Sequence, residues 1–375
     1  MKNFNAGKYI NQGHYESFEP ALLHREWQLD DLKVIELLSK ADRQLGRLDM
    51  YSEYIPNIDL FISMHVIKEA NQSSKIEGTQ TNIEEALMDK ENVPTEKRDD
   101  WEEVQNYIAA MSSAIQELEK LPFSSRLIRN THSVLMQGVR GETKQPGDFR
   151  KSQNWIGGAN ISDATFVPPI HENIPKLMGD LENFMHDENL HLPDLIKIAI
   201  MHYQFETIHP FLDGNGRVGR LMITLFLVSC GILKQPILYI SDYFEKNRTD
   251  YYDHLMRVRL KDDLSGWIQF FLRGVIETAK SSIQTFDGIL KLQKEVDDVL
   301  RAMGARSANA QKVVNHLYKR PLISAERASE VAAVSMPTAY KLISSLEEHS
   351  ILHEVTGAER NRLYIFKDYI NLFKT

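Results

Sequence analysis

The chain has 375 residues, 42% of them hydrophobic and 26% charged, with a formal net charge of −8 at pH 7. This length predicts two or three domains with ordinary apolar cores, and the acidic balance excludes a global field that would attract nucleic acid or an anionic membrane. The single cysteine excludes a disulfide within one chain, and no apolar run is long enough to span a bilayer, so the sequence predicts a cytoplasmic protein.

Residues 1–57 mix aromatic side chains with one helical stretch, Leu29–Leu48. Asp30 and Asp31 fall in the first turn of that stretch, where the helix dipole favours negative charge. We expect a helical arm that packs on the main domain and has no chemistry of its own.

Residues 58–78 predict a second helix, because apolar residues recur at helical spacing and Gly78 is a natural stop. Ser73 and Glu77 are four residues apart, so they share one face of this helix. Taken alone, Glu77 is most simply a solvated residue of the last turn, since surface glutamates are common.

Residues 146–169 differ in character from the helical stretches before them. Glycines and prolines punctuate short apolar and aromatic runs, and this pattern favours a β-hairpin with Trp155–Gly158 near its exposed strand. The aromatic side chains of this segment either pack inward or face a partner, and the residues alone leave both readings open.

The densest chemistry lies in residues 209–220, which read His-Pro-Phe-Leu-Asp-Gly-Asn-Gly-Arg-Val-Gly-Arg. Apolar helical patterns precede and follow them, so they predict a loop between two buried helices. Free backbone amides and the positive dipole end of the second helix favour an anion, and Arg217 and Arg220 add phosphate donors. Asp213 suits Mg²⁺, and His209 can take a proton near neutral pH. Together these groups predict phosphoryl transfer.

These twelve residues resemble the Fic family signature His-Pro-Phe-x-Asp-Gly-Asn-Gly-Arg-x-x-Arg, with every fixed position filled. Ser73–Gly78 resemble the family's inhibitory motif, Ser/Thr-x-x-x-Glu-Gly/Asn, in the group whose inhibitory helix precedes the catalytic domain. The resemblance covers roughly Phe61–Val275. It implies a mainly α fold, in which residues 58–290 form a Fic helical core with a small β-hairpin flap and residues 291–375 form a connector helix and a winged helix-turn-helix domain.

The function implied by the resemblance is a protein adenylyltransferase, which transfers AMP from ATP to a Tyr, Thr or Ser hydroxyl of a target protein or of itself. His209 would be the general base, Asp213 would hold Mg²⁺, and the flap at residues 147–169 would dock a target segment as an added strand. Ser73 and Glu77 would inhibit the enzyme by setting the Glu77 carboxylate on the arginine that holds the γ-phosphate. The implied nucleotide contacts are Glu77, His209, Gly214, Asn215, Gly216, Arg217, Val218, Gly219, Arg220 and Asn247.

Beyond the signature, Tyr251 and Tyr252 follow at a spacing similar to that in Fic proteins, where this region covers the adenine and ribose. Packing of these aromatic rings in the core is an equal alternative. The last part of the chain predicts three helices and two short runs around Gly357, which resemble a winged helix-turn-helix with Ser335 near the cap of its third helix. Its nearly balanced charge makes protein docking or homodimer contact at least as plausible as DNA binding.

Two other functions fit the same residues. One is the removal of AMP from a modified protein, in which an ordered Glu77 aligns a water molecule. The other is a transcription regulator in which the Fic domain serves as the sensor of a winged-helix protein.

Overall fold

The computed structural model describes residues 4–55, 58–138, 142–357 and 361–374. Within these ranges the chain is mainly helical, as the sequence predicts, with fifteen α-helices, one two-stranded sheet and one three-stranded sheet. None of the helices in the described part is both long and apolar enough to cross a membrane.

The N-terminal region begins with a β-hairpin, which the predicted helical arm did not include. Strands β1 (Gly7–Asn11) and β2 (Glu16–Pro20) pair in antiparallel register. Helix α1 follows as Leu32–Tyr54, shifted towards the C-terminus from the predicted Leu29–Leu48. The shift arises because Asp31 is the N-cap residue, whose carboxylate accepts hydrogen bonds from the first free backbone amides rather than lying within the first turn.

The middle of the chain forms a helical bundle around one fully buried helix, α7 (Asp194–Ile208). Every residue of α7 from Leu195 to Ile208 is buried, including its polar ones, because helices pack against it on all sides. The helices before α7 are α2 (Asp59–Ile76), α3 (Ile83–Leu87), α4 (Arg98–Leu118), α5 (Ser125–Leu135) and α6 (Ile174–His186). Those after it are α8 (Asn215–Ser229), α9 (Ser241–Lys246) and α10 (Arg248–Lys261).

The segment between α5 and α6 folds back on itself, but with less regular structure than the predicted hairpin. Its antiparallel pairing is a single bridge between Ile156 and Phe166. Gly157 and Gly158, with φ of 70° and 74°, turn the chain directly after Ile156, so no longer strand forms. Trp155 is exposed and Phe166 is buried, so the segment has one aromatic residue facing outward and one packed inward.

The C-terminal third begins with α11 (Leu264–Ala302), a continuous helix of 39 residues. The predicted domain boundary between residues 290 and 291 therefore lies inside this helix. The remaining elements are α12 (Ser307–Lys319), β3 (Leu322–Ser324), α13 (Ala325–Ala332), α14 (Met336–Glu348), β4 (His353–Glu354), β5 (Leu363–Ile365) and α15 (Lys367–Asn371). The three strands are antiparallel in the order β3-β5-β4, and residues 358–360 between β4 and β5 lie outside the described residues.

Two contacts at the C-terminal end bear on function. Ser335 occupies the N-cap position of α14, in agreement with the prediction that it lies near this cap, and its hydroxyl lies 3.0 Å from that of Thr338. More important, this end of the chain packs on α2: the ring of Phe61 meets those of Tyr318 and Tyr369 at centroid distances of 5.3 and 6.5 Å. The C-terminal elements thus rest on the helix that carries Ser73 and Glu77.

Candidate active site

As predicted, residues 209–220 connect two helices. Residues 209–214 form the loop between α7 and α8, and residues 215–220 form the first turns of α8. Helix α7 ends at His209, which caps the helix with φ 50° and ψ 59°, and its backbone N–H donates to the carbonyl of Phe205 at 2.9 Å. Pro210 cannot continue the helix and disfavours a right-handed helical conformation for the residue before it. A histidine with positive φ is uncommon, and such backbone conformations concentrate at functional sites.

The predicted anion site falls at the start of α8. Gly214 is the N-cap residue with φ 75°, a conformation that glycine adopts without steric cost. The side chain of Asn215 does not face the site, because its amide accepts from the backbone N–H and donates to the carbonyl of Phe211, at 2.8 and 2.9 Å. The contribution of Asn215 to anion binding is therefore its backbone amide at the helix N-terminus.

His132 of α5 contacts the loop through its ring and through a hydrogen bond, a role that the sequence did not indicate. Its ring stacks on Phe211 with centroids 3.7 Å apart and an angle of 6° between the planes. The backbone N–H of Gly147 donates to its Nδ1 at 2.9 Å, so the proton is on Nε2, which contacts the carbonyl of Asp213 at 3.1 Å. Burial is the main cause that lowers the pKa of His132 to about 4, which keeps the ring neutral.

Arg150 joins the loop to the segment between α5 and α6. Its guanidinium is 2% exposed and donates to the carbonyls of His209, Ser152 and Pro169, at 3.0, 3.0 and 2.6 Å. Its own backbone N–H donates to the carbonyl of Pro210 at 2.8 Å. This buried cation fixes the predicted flap beside the histidine that the signature supplies.

The His209 ring is neutral in the folded chain. Burial, with the nearby charges of Arg150 and Arg259, lowers the pKa of His209 to about 3. Its Nδ1 is a buried atom without a hydrogen-bond partner in the described part of the chain. A neutral imidazole has a free nitrogen lone pair, so His209 has the protonation state that a proton acceptor needs.

Arg220 is the most enclosed charge of the site, at 1% exposure. Its Nε donates to the Ser73 hydroxyl at 2.9 Å, and its Nη2 donates to the Ser73 carbonyl at 2.8 Å and to Glu77 Oε1 at 2.7 Å. The side chain of Glu77 is about one-third exposed, at 35%. Its partial burial alone would raise the pKa of Glu77, but the charge and hydrogen bond of Arg220 outweigh this and lower it. Glu77 is therefore not the free surface residue of the simplest interpretation.

The same carboxylate lies against the first turn of α8. A Cβ atom added to Gly216 would be 2.3 Å from Glu77 Oε1 and 2.9 Å from Arg220 Nη1. Gly216 is thus required for the close approach of Glu77 to α8. Glu77 and Arg220 occupy the space directly over the backbone that the sequence assigns to phosphate.

Arg217 and Asp213 form the outer edge of the site. Arg217 Nη1 lies 3.2 Å from Glu103 Oε2, and its Nη2 lies 3.7 Å from Asp213 Oδ1. The Asp213 side chain is 47% exposed. No group of three or more His, Cys, Asp or Glu side chains in the described ranges forms a metal cluster. A single exposed carboxylate beside a phosphate site nevertheless fits Mg²⁺, which takes one or two protein carboxylates with phosphate oxygens and water.

Three residues predicted to contact nucleotide point elsewhere. Val218 is fully buried in the core, and a Cβ added to Gly219 would meet Glu206 Oε1 at 2.3 Å, so this glycine allows α8 to pack closely on α7. The Asn247 amide donates to the carbonyl of Tyr243 at 2.9 Å, at the junction of α9 and α10. The Val218 side chain and the backbone of Gly219 thus serve the packing of α8, and the Asn247 side chain bonds at the junction of two helices.

The two tyrosines after the signature differ in environment. The Tyr251 hydroxyl lies 2.9 Å from His202 Nε2, and its ring stacks on Phe244 with centroids 4.5 Å apart. Tyr251 is therefore a core residue. Tyr252 is 38% exposed and carries the guanidinium of Arg248 over its ring at 5.9 Å. Only Tyr252 presents a surface that could cover a ligand.

Glu206 is a buried carboxylate near the site that was not predicted from the sequence. It is 7% exposed, and its Oε1 has no hydrogen-bond partner among the described residues. Burial is the main cause that raises the pKa of Glu206 to about 7, with Glu77 also raising it and Arg220 lowering it. The sequence signal that could have identified Glu206 is a glutamate inside an apolar helical pattern, three residues before His209.

Two family models match the chain over its N-terminal half and centre. Residues 35–116 match the Fic/DOC family N-terminal model, and residues 122–227 match the Fic/DOC family model. The second match includes the signature loop, α7 and most of α8.

Curated relatives share the same central region. The protein adenylyltransferase fic-1 of Caenorhabditis briggsae is 29% identical over 196 residues, which are 50% of this chain and 34% of that protein. The protein adenylyltransferase Fic of Aedes aegypti is 34% identical over 125 residues, 33% of this chain and 22% of that protein. The matched region thus spans about a third or less of the length of these relatives.

Solved structures show the same fold. A Fic family protein from Desulfovibrio desulfuricans G20 superposes with a TM-score of 0.60 at 21% identity, over 92% of this chain and 98% of that one. The Fic-1 structure from Caenorhabditis elegans superposes with a TM-score of 0.52 at 22% identity, over 69% of this chain and 74% of that one. At these identities the structures establish the fold alone.

Proposed function

Because the chain belongs to the Fic/DOC family, we propose that it is a protein adenylyltransferase, which transfers AMP from ATP to a Tyr, Thr or Ser hydroxyl of a target protein or of its own chain. One observation carries the proposal. His209, whose imidazole is neutral, ends α7 just before the loop, and the buried guanidinium of Arg220 projects from the second turn of α8, so the two groups flank the start of α8 in sequence. This arrangement combines a proton acceptor with fixed positive charge.

The triphosphate would lie across the start of α8. The backbone amides of Gly214, Asn215 and Gly216 are at the positive end of the helix dipole, where phosphate oxygens bind favourably. Arg217 and Arg220 project from successive turns of α8 and would hold the β- and γ-phosphates through charge-assisted hydrogen bonds. Asp213 would hold a Mg²⁺ ion, which neutralises phosphate charge when it is bound.

His209 would act on the target hydroxyl. It accepts the hydroxyl proton as the hydroxyl oxygen forms a bond to the α-phosphorus, and the bond from that phosphorus to the bridging oxygen breaks, so pyrophosphate leaves. Arg150 holds the carbonyl of His209 and so keeps the ring in position. The negative charge of a bound triphosphate raises the basicity of an imidazole beside it, which moves His209 towards the pKa of an efficient base.

Glu77 would inhibit this reaction. Its carboxylate already occupies Arg220 at 2.7 Å and covers Gly216, so it competes with a phosphate for the same guanidinium and repels it. Ser73 accepts two further hydrogen bonds from Arg220, and these hold α2 against α8. With Glu77 in this position, ATP binds weakly or with its α-phosphate out of line for attack.

The target segment would dock on residues 147–169. The Asn154 amide donates to the carbonyl of Phe211 at 2.9 Å, so this segment lies directly beside the signature loop. One edge of it is already paired, because the backbone N–H of Phe18 donates to the carbonyl of Val167 at 2.9 Å. The other edge is the stretch that contains exposed Trp155. An extended target segment would add there by backbone hydrogen bonds.

A second candidate function rests on the position of Glu77. The Glu77 carboxylate at the end of α2, which lies against Gly216 of α8, would orient a water molecule for attack on a bound AMP group, so the same site would remove AMP from a modified protein. The two reactions differ in their product. Incubation of a purified adenylylated protein with this chain releases free AMP only if the second function is present.

The C-terminal elements would bind a protein partner, either a target or a second copy of the chain. Helix α14 exposes Met336 and Tyr340, at 38% and 52%, and such apolar side chains favour protein contact over phosphate contact. A winged-helix DNA-binding role for these elements, and with it a transcription regulator, is the alternative. Nanomolar, sequence-selective DNA binding in about 0.15 M salt distinguishes the two, because specific sites are held at that level.

The proposed activity is tested by mass spectrometry of intact protein. The wild-type chain and a cell lysate are incubated with ATP and Mg²⁺, and an added adenylyl mass on either is the expected result. His209→Ala should reduce the transfer by at least ~10²-fold, because a general base contributes this much. His191→Ala, a change of the same kind at an exposed histidine, is the matched control. Equal transfer by wild type and His209→Ala would refute the assignment.

A further inference from the structure

A separate cavity lies beside α2, on a face next to the one that carries Ser73 and Glu77. Its volume is about 150 Å³, and it is bounded by α2, the start of α9, the middle of α11 and Phe373 of the C-terminal end. It opens towards a wider cleft, of about 610 Å³, with which it shares Lys68, Gln72 and Asp242. The cavity therefore connects the inhibitory helix with the C-terminal elements.

Three buried polar atoms line this cavity without a hydrogen-bond partner among the described residues: His65 Nε2, Tyr239 Oη and Gln72 Oε1. His65 and Tyr239 are 5% and 6% exposed. The Gln72 Nε2 donates to Asp242 at 3.1 Å, so one end of this amide is fixed and the oxygen is left for another donor. Buried polar atoms are nearly always paired, so three in one cavity indicate a polar occupant.

The charges around the cavity favour an uncharged occupant. Lys68 and Lys246 both face Asp242, at 3.5 and 3.1 Å, so the cations at the mouth are balanced by the carboxylate between them. Deeper in the cavity, burial lowers the pKa of His65 to about 3, and its ring is neutral. A charged ligand would lose its hydration there, and an anion would also meet Glu69 and Glu277, which line the same cavity, while both lysines already face Asp242.

The size and shape of the cavity restrict the occupant further. A cavity of about 150 Å³ accommodates a molecule of roughly the size of a benzene ring with a few substituents. The rings of His65 and Tyr239 lie nearly parallel, at 22°, with centroids 6.3 Å apart. We propose that this cavity is a binding site for an uncharged, planar, single-ring molecule with amide-type N–H and C=O groups, which pair with Tyr239, Gln72 and His65.

Binding there would reinforce the inhibited position of α2, a consequence that rests on the proposed function. Glu69 of α2 accepts hydrogen bonds from the Tyr107 hydroxyl at 3.1 Å and from the Ser241 backbone N–H at 3.1 Å. One turn later, Ser73 holds Arg220 at 2.9 Å. A ligand bridging α2 to Tyr239, two residues before α9, would hold α2 in this arrangement. It would then lower the affinity for ATP, and ATP would lower the affinity for the ligand by the same factor.

The site is tested with nicotinamide and uracil as probes, in titrations of the full chain followed by calorimetry and ligand-detected NMR. Nicotinate, which has the same ring but a carboxylate, is the charged counterpart. We expect saturable binding of at least one neutral probe and no binding of nicotinate. Tyr239→Phe should weaken that binding by about fivefold, the scale of one lost hydrogen bond. Tyr54→Phe, at an exposed tyrosine, should not change it.

Absence of saturable binding of both neutral probes to the wild-type chain would overturn the proposal, since water alone then satisfies the three atoms. So would equal binding of nicotinate, or binding that Tyr239→Phe leaves unchanged. The coupling is measured separately, as the affinity for ATP with and without saturating probe in wild type and in Glu77→Gly. A decrease in wild type only is the expected result, and no decrease in wild type overturns the coupling. Direct probe binding does not depend on AMP transfer, so failure of the proposed function is distinguishable from failure of this site.

Discussion

Replacement of Glu77 by glycine should raise both the affinity for ATP and the rate of AMP transfer. The substitution removes one of three contacts to Arg220 and leaves the two hydrogen bonds to Ser73. It also uncovers Gly216 at the start of α8, where a phosphate would bind. The backbone at position 77 has φ −84° and ψ −3°, which glycine adopts without strain, so α2 should keep its end.

The expected gain follows from the contact that is lost. A hydrogen bond to a charged group contributes ~1.5–3 kcal/mol, and the one-third exposure of the Glu77 side chain reduces this to roughly 1–2 kcal/mol. At ~1.4 kcal/mol for each factor of ten, ATP affinity should rise by about 5- to 30-fold. Glu77→Gln, which removes the charge and keeps the bulk, should give a smaller gain.

The assay is a pair of measurements on each variant: calorimetric binding of ATP with Mg²⁺, and the initial rate of AMP transfer. Glu245→Gln is the matched control, because Glu245 pairs with Lys75 of the same helix at 2.8 Å and does not contact Arg220. Double substitution with Arg220→Ala should cancel the gain, since the arginine also serves the triphosphate. Unchanged affinity and rate in Glu77→Gly, or an equal gain in Glu245→Gln, would refute the reasoning.

Three further outcomes follow from the site. Asp213→Asn should increase the Mg²⁺ concentration needed for half-maximal transfer, because the amide keeps the size and loses the charge; an unchanged requirement in a magnesium titration contradicts its role. The affinity for ATP should fall as pH rises through about 7, since Glu206 ionises there and repels the triphosphate, and Glu206→Gln should flatten this dependence in calorimetry between pH 6 and 8. The free energy of unfolding, measured with urea, should decrease as pH falls below the unfolded histidine pKa of about 6.5, because burial lowers the pKa of His202 to about 3 and only the unfolded chain takes up that proton. His202→Gln should reduce the slope, and an equal slope would exclude His202 as its cause.

Much of the site could be predicted from sequence because its signals are local. Residues 209–220 are consecutive, and proline and glycine mark the end of α7 and the start of α8. The pairing of Glu77 with Arg220, across 143 residues, was inferred only because a family motif linked them. No local pattern near Glu77 distinguishes that contact from a surface position.

The parts of the site that could not be predicted depend on contacts between residues far apart in the sequence. Arg150 lies 59 residues before His209, and its role depends on the carbonyls of His209, Ser152 and Pro169 meeting around one buried guanidinium. The sequence left Tyr251 open between a nucleotide contact and core packing, and the core contact of its hydroxyl with His202 is made across 49 residues. The hairpin of residues 7–20 was missed because two strands of five residues carry little periodic signal. The nucleotide contacts predicted for Val218 and Gly219 stay predictions. They assign a whole signature to the ligand, while helical geometry turns the Val218 side chain to the core and Gly219 towards Glu206.

The central claim, AMP transfer with pyrophosphate release, is tested most directly with ATP labelled either on the α-phosphate or on the γ-phosphate. The Glu77→Gly variant is incubated with each label and Mg²⁺ in a lysate, and the protein-bound label is measured after separation, with Glu77→Gly/His209→Ala as the control. The account predicts that protein retains the α label and not the γ label, and that the His209 substitution abolishes retention. Retention of the γ label, or α-label retention that is equal without His209, would contradict it.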